Sequence, residues 1–191
     1  SSVWDDYRRI FDDLLPGVCR AHDPDRLYWP SSPASDVSST GNPNDYSRGD
    51  VHYWEVWGEM KATPDFFRRQ HPRFASEFGM EAFPDMETIA GFCAPENFKL
   101  DSVTMRHHQR SVGGNDKMLY YLAERFRFPR DFTDLVYLTQ VQQAEAIRIG
   151  VEHWRRNFPR CSGALYWQYN DCWPVASWAS VDYNGAWKAL H

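Results

Sequence analysis

The sequence predicts an α/β fold in which parallel strands alternate with helices, and three observations carry that expectation. Residues 51–77 read as strand, helix and strand in immediate succession: VHYWEVW is an aromatic-rich apolar run, Thr63-Pro64-Asp65 opens a helix, and RFAS is a second extended run. A strand–helix–strand unit joins parallel strands. Residues 133–157 form one long helical pattern, in which Tyr137, Val141, Ala144, Ile147, Val151, Trp154 and Phe158 keep spacings of three and four. Four strand-like runs end in polar or aromatic clusters, namely WPSS, HYW, SEFG and WQYND.

The first element is a helix. Trp4, Tyr7, Phe11, Leu14, Leu15 and Val18 recur at helical spacing, Asp5 and Asp6 occupy the first turn, and Pro24 with Asp25 closes it. Leu27, Tyr28 and Trp29 form a short apolar run cut off by Pro30, which reads as a buried strand and a turn. Residues 33–50 are an 18-residue polar loop, and loops of that length in compact domains are functional or disordered. After VHYWEVW, Thr63 caps the helix of PDFFRRQH, which has Pro64 at its first position. RFAS then leads straight into Glu77. Beyond it the chain is less regular: Pro84 and Asp85 begin a short helix, and Gly113-Gly114 ends another stretch. The stripe of the long helix reads as core. CSGALYWQYND, residues 161–171, is the fourth strand, and Asn184-Gly185 marks a turn before the start of a terminal helix.

Length and composition narrow the classes. The 191 residues suffice for one core of ordinary size. A formal net charge of −5, from 21 basic and 26 acidic residues with no basic run, argues against a nucleic-acid partner. No stretch approaches the roughly 20 apolar residues of a membrane span, so no membrane partner is expected. Cys19, Cys93, Cys161 and Cys172 are widely spaced, with no C-x-x-C and no histidine at ligand spacing, so no metal is expected. G-x-S-x-G, glycine-rich phosphate loops and H-E-x-x-H are all missing, and no cofactor is expected. Aromatic residues make up 16% of the chain, nine of them Trp. That count by itself favours a generous core; the alternative is a set of flat faces for the apolar side of a sugar ring.

A carboxylate at a strand end is costly unless it is paired or used. Read alone, S-E-F-G favours pairing, with an arginine such as Arg73 or Arg106. The alternative is that Glu77 stands at the mouth of a parallel barrel, ready to attack an anomeric carbon. Trp167 reads alone as a large core residue, and otherwise as the floor of a sugar subsite in which Gln168, Asn170 and Asp171 read hydroxyls. His52, Tyr53 and Trp54 are packing on the first reading and line the same mouth on the second. His107 and His108 read as a solvated helix face. In (β/α)-barrels the chemistry gathers at the C-terminal ends of the strands, and here aromatics, carboxylate and amides fall at strand ends in the order a sugar-cleaving barrel needs.

GDVHYW, RFASEFG and LYWQYNDCWPVASWASVDYNGAWKAL closely resemble the β-mannosidases of glycoside hydrolase family 2, whose catalytic domain is a (β/α)8 barrel. The resemblance runs from the helix before WPSSP to the end of the chain. It implies that residues 1–191 are the second half of that barrel, strands five to eight, with about four parallel strands and their helices. It further implies that Glu77 is the nucleophile, that Trp167 lies in the terminal mannose subsite, and that His52, Tyr53 and Trp54 sit at the subsite rim. The implied reaction is retaining hydrolysis of terminal non-reducing β-D-mannose from a β-mannoside oligosaccharide or glycan, through a covalent mannosyl-enzyme.

One family feature is missing. The acid/base Glu of these enzymes lies in an N-E pair at the end of the fourth barrel strand, and no N-E dipeptide occurs in this sequence. The β-sandwich domains that precede the barrel are missing as well. Retaining hydrolysis needs two carboxyl groups about 5–5.5 Å apart. The expectation is therefore a fragment, inactive alone, that works with the missing N-terminal part of the same protein and whose open sheet edges favour self-association. Other readings stay open: a family 2 exo-β-glucosaminidase or endo-β-mannosidase, a non-catalytic carbohydrate-binding domain, or a purely structural piece.

Overall fold

The computed structural model describes residues 2–37, 41–58 and 63–191, so residues 38–40 of the long polar loop lie outside the described residues. The chain divides into two compact units: residues 1–53, 70–77 and 154–165 form the first, and residues 54–69, 78–153 and 166–191 the second.

In the first unit, α1 (Val3–Arg8) starts on a reciprocal cap: Ser2 N–H donates to Asp5 Oδ2 at 2.9 Å and Asp5 N–H to Ser2 Oγ at 3.2 Å. π-helical residues Arg9–Leu14 and then α2 (Leu15–His22) continue it, over the span the periodicity predicts. None of these residues is buried, and Leu14 is 59% exposed. Trp4, Tyr7 and Phe11 stack on one another along the helix instead.

The run Leu27–Trp29 is not a strand, and Leu27 is 71% exposed. Pro30, which follows at once, has no backbone N–H with which to extend a ladder. Trp29 is tied down through its side chain, the indole N–H donating to Asp50 Oδ1 at 2.9 Å.

The parallel pair predicted across residues 51–77 forms, in shorter strands. β1 (Val51–His52) lies beside β2 (Ala75–Glu77), with Val51 N–H donating to Phe74 O at 2.9 Å and Tyr53 N–H to Glu77 O at 2.8 Å. On the other side of β2, Ala164 makes a parallel bridge to Ala75: Ala75 N–H donates to Gly163 O at 3.1 Å and Leu165 N–H to Ala75 O at 2.8 Å. A side chain at position 163 would collide with the Phe74 ring, its Cβ falling 2.4 Å from Cε2. The predicted fourth strand thus narrows to isolated bridges, and the predicted four strands to a two-stranded parallel sheet among the described residues. Ala34, Val51, Tyr53, Ala75, Trp154 and Cys161 form the core of this unit.

The second unit is helical. The VHYWEVW run turns into α3 (Glu55–Gly58), and the PDFFRRQH helix is a 3-10 segment, Pro64–Arg69. Asp85 caps α4 (Met86–Ala90) at its predicted start, accepting from Glu87 N–H at 2.9 Å. A 3-10 turn at Pro95–Asn97 leads to α5 (Val103–His107), which is capped by Ser102. Gly113-Gly114 begins an element rather than ending one: Gly113, at φ 67, is the cap of α6 (Gly114–Arg125). His108 is not on a solvated face either. Its ring stacks on Phe92 at 3.8 Å and its Nδ1 lies 2.5 Å from Pro174 O.

The long helix α7 (Phe132–Arg156) has the predicted extent, and from Trp154 onward it belongs to the first unit. Its buried face departs from the apolar stripe. Tyr137 is 65% exposed, while Leu135, Val136, Thr139, Gln142, Gln143, Ala146 and Ile147 are buried. The polar members satisfy backbone groups of neighbouring segments: Gln143 Nε2 donates to Met80 O at 2.8 Å and Trp178 O at 3.1 Å, and Thr139 Oγ1 accepts from Phe83 N–H at 3.2 Å.

The D-Y-x-G-x-W-K tail is a structural clasp, and the expected terminal helix is absent from it. Asp182 accepts from Thr88 Oγ1 at 2.7 Å and from the amides of Asp85, Asn184 and Ala186 at 3.1, 3.0 and 2.9 Å. Lys188 is buried and donates to Ala82 O at 3.1 Å and Ser177 O at 3.3 Å. Burial pushes its ammonium down to about 8. Burial also pushes the Glu81 carboxyl well above the usual range, although the nearby Lys188 and Lys117 cations oppose the shift. Among the described residues, no helix is long and apolar enough to cross a membrane and no group of three side chains is placed to hold a metal ion.

Candidate active site

The residues singled out from sequence fall in both units. Glu77, His52 and Tyr53 belong to the first, and Trp54, Trp167, Asn170 and Asp171 to the second.

In the first unit, the parallel pairing of β1 with β2 places His52 opposite Glu77. Both side chains are half-buried, and His52 Nδ1 lies 3.2 Å from Glu77 Oε2. The acid at the strand end is therefore paired with an imidazole from the adjacent strand. Tyr53 also meets Glu77, but through its backbone amide; its ring is 1% exposed and packs edge-on against Tyr46 at 6.2 Å.

Three further side chains that the sequence reading does not single out complete this cluster. Asp50, immediately before β1, is buried and accepts at Oδ1 from Trp29 Nε1 and from Ala34 N–H, both at 2.9 Å. Its Oδ2 accepts from Ser32 Oγ at 2.7 Å and from Ser76 Oγ. Burial alone would raise its pKa, but these hydrogen bonds outweigh burial and hold the carboxyl below the usual range. Ser32 Oγ in turn lies 3.0 Å from His52 Nε2. Sequence held a partial signal for all three, since Ser32 belongs to the WPSS cluster, Asp50 to GDVHYW and Ser76 to S-E-F-G.

In the second unit, Trp167 is 42% exposed, its amide donates to Phe78 O at 2.8 Å, and its peptide bond to Gln168 is cis. Gly79 lies beneath this backbone: a Cβ there would stand 2.5 Å from Trp167 O and 3.0 Å from both Trp178 Cδ1 and Trp54 Cη2. The glycine of S-E-F-G is thus required for the approach of three tryptophans. Trp54 packs edge-on against Trp178 at 5.9 Å. Gln168 Nε2 donates to Asn170 O and Asp171 Oδ1, both at 3.1 Å, and Ser177 Oγ donates to Asp171 Oδ2 at 2.7 Å. Burial raises the Asp171 carboxyl above its usual range, with Ser177, Lys188 and Gln168 working against it. Asn170 is exposed, and its backbone bridges to Val181.

Chemically, the first unit presents an acid that reaches solvent and is held by an imidazole. The second presents an exposed indole face above a closely packed tryptophan group. A carboxylate is a group capable of nucleophilic attack, and an exposed indole is one that can stack on a sugar ring.

The chain has relatives among known proteins. No family profile matches the chain. It is 41% identical over 180 residues to β-mannosidase B of Aspergillus terreus and 42% identical to that of Aspergillus fumigatus, in each case covering 92% of this chain and 21% of the relative. The chain thus spans about a fifth of the length of these curated relatives. Among solved structures, the β-D-mannosidase of Dictyoglomus thermophilum superposes with a TM-score of 0.89 at 38% identity, over 95% of this chain and 22% of that one. The exo-chitosanase of Amycolatopsis orientalis shares the fold, with a TM-score of 0.70 at 17% identity over 96% of this chain and 23% of that one. The chain is a homologue of a fifth of the β-mannosidase polypeptide, with an α/β fold matching that of a solved β-mannosidase.

Proposed function

With homology to the β-mannosidases as the premise, we propose that this chain is the part of a longer retaining glycosidase that carries its nucleophile. On this reading residues 1–191 are the second half of a (β/α)8 barrel of glycoside hydrolase family 2, and the substrate is a terminal non-reducing β-D-mannoside. Glu77 attacks the anomeric carbon as a carboxylate and displaces the aglycone oxygen, which leaves with a proton from a second carboxyl group. Water, deprotonated by that second group, then cleaves the glycosyl ester. No Asn-Glu dipeptide occurs in the sequence, so the second group is assigned to the remainder of the enzyme, and the chain alone does not turn over. Trp167 is the stacking platform under the sugar. Sugar-binding roles are proposed for His52 and Tyr53 in the first unit and, separately, for Trp54, Asn170 and Asp171 in the second.

The observation that carries this reading is the likeness to a solved β-D-mannosidase at a TM-score of 0.89, in a chain whose second strand ends on a half-buried carboxylate. The test is Glu77→Gln in the full-length enzyme. Hydrolysis of an aryl β-mannoside is expected to fall by on the order of 10⁴-fold or more, with binding of mannose retained. An amide variant with near-normal turnover would reduce Glu77 to a hydroxyl-binding residue and favour a non-catalytic sugar site.

A further inference from the structure

The acid at the end of β2 stands at one end of a chain of hydrogen bonds. Glu77 Oε2 meets His52 Nδ1 at 3.2 Å, His52 Nε2 meets Ser32 Oγ at 3.0 Å, and Ser32 meets Asp50 Oδ2 at 2.7 Å. Ser76, the neighbour of Glu77 in β2, donates to the same Asp50 oxygen, and the two serine Oγ atoms lie 3.2 Å apart. All these residues belong to the first unit.

The protons in this chain can be counted. An ionised carboxylate only accepts, so the single hydroxyl protons of Ser32 and Ser76 both serve Asp50. Ser32 then accepts from the ring, which puts a proton on His52 Nε2. Nδ1 faces a second carboxylate, where a bare lone pair would be repelled, so one more proton lies between Nδ1 and Glu77. The ring is thereby set between two acids, Glu77 directly and Asp50 through Ser32. Among the described residues, these are the titratable groups whose hydrogen bonds or ion pairs reach it.

Resting on Glu77 as the nucleophile, we propose that Asp50 is a positioning residue which acts through Ser32 to fix the rotamer of His52, so that its Nδ1 edge is held against the nucleophile. With the proton between them on the ring, Glu77 is ionised and fit to attack. When the glycosyl ester later breaks, the returning charge on Glu77 again meets an imidazolium. The four donors that keep Asp50 anionic are what makes it suited to this role.

The test uses the full-length enzyme with Asp50→Asn, Ser32→Ala and Ser32→Thr. Asp50→Asn and Ser32→Ala are expected to lower kcat by about 10- to 100-fold with KM little changed, the range typical of a lost orienting partner. Ser32→Thr keeps the hydroxyl and is expected to stay within about 3-fold of wild type. Asp50 also tethers Trp29 and Ala34, so the Ser32 pair is the control for folding: Ser32→Ala should lose rate at unchanged Tm. Unchanged kcat in Ser32→Ala, or equal losses in the Ala and Thr variants, overturns the proposal. Active-site labelling with a fluoro-mannoside separates the two levels. A label on Glu77 with unchanged variants removes only the positioning role, whereas a label elsewhere removes the nucleophile assignment and this role with it.

Discussion

Glu77 and Gly79 are two residues apart and meet opposite demands. The acid needs a partner and finds it in His52, on the adjacent strand. The glycine needs no side chain at all, because three tryptophans close over it. Both were visible in the S-E-F-G motif, but the physical reason for the glycine was not, since Trp54, Trp167 and Trp178 are distant in sequence. Likewise Ser32 and Asp50 are 18 residues apart and Asp50 and Ser76 are 26 apart, so no local pattern joins them. Gly79→Ala tests the packing directly. The added methyl must displace the Trp167 carbonyl or an indole, and overpacking of this kind costs about 1–3 kcal/mol. A urea midpoint lowered accordingly is expected; an unchanged midpoint would show that the tryptophan group has room to give.

Elements were legible in proportion to how much their own sequence decides them. α7 is legible at nearly its full length because a 3.6-residue period persists over many turns, yet the predicted stripe is buried only in part, at Ile147 and Trp154 and not at Tyr137. Thr139, Gln142 and Gln143 are polar by type and are buried because neighbouring segments leave carbonyls and amides for them to satisfy, which no periodicity reports. Short apolar runs were the weak point: Leu27–Trp29 is no strand, and residues 161–171 form bridges only. Strands exist by virtue of partners, and partners are not in the local sequence. The α1 and α2 helices show the converse, since a clear amphipathic pattern is present and none of its residues is buried. In the 191-residue chain, peptides from residues 3–22 are therefore expected to exchange amide hydrogen well before those from residues 132–153, because few buried contacts resist their opening. Equal protection of the two in a mass-spectrometric exchange series would contradict that expectation.

At the scale of the whole molecule, composition excluded classes more securely than it selected one. The small negative charge and the absence of a basic run gave no support to nucleic acid, and the aromatic content was equally at home in a core or under a sugar. What narrowed the choice was the match of three separate motifs, now joined by about 41% identity across 92% of the chain to a β-mannosidase of which it spans 21%. The likeness to the exo-chitosanase extends to fold alone, so the proposed preference for mannose rests on the higher identity to the β-mannosidases. The central claim is that Glu77 is the residue glycosylated during turnover. The measurement that tests it most directly is inactivation of the full-length enzyme with a 2-deoxy-2-fluoro-β-mannosyl fluoride, followed by digestion and mass spectrometry. A single fluoromannosyl adduct on the RFASEFG peptide, at Glu77, is the predicted result; an adduct on any other residue would contradict the account.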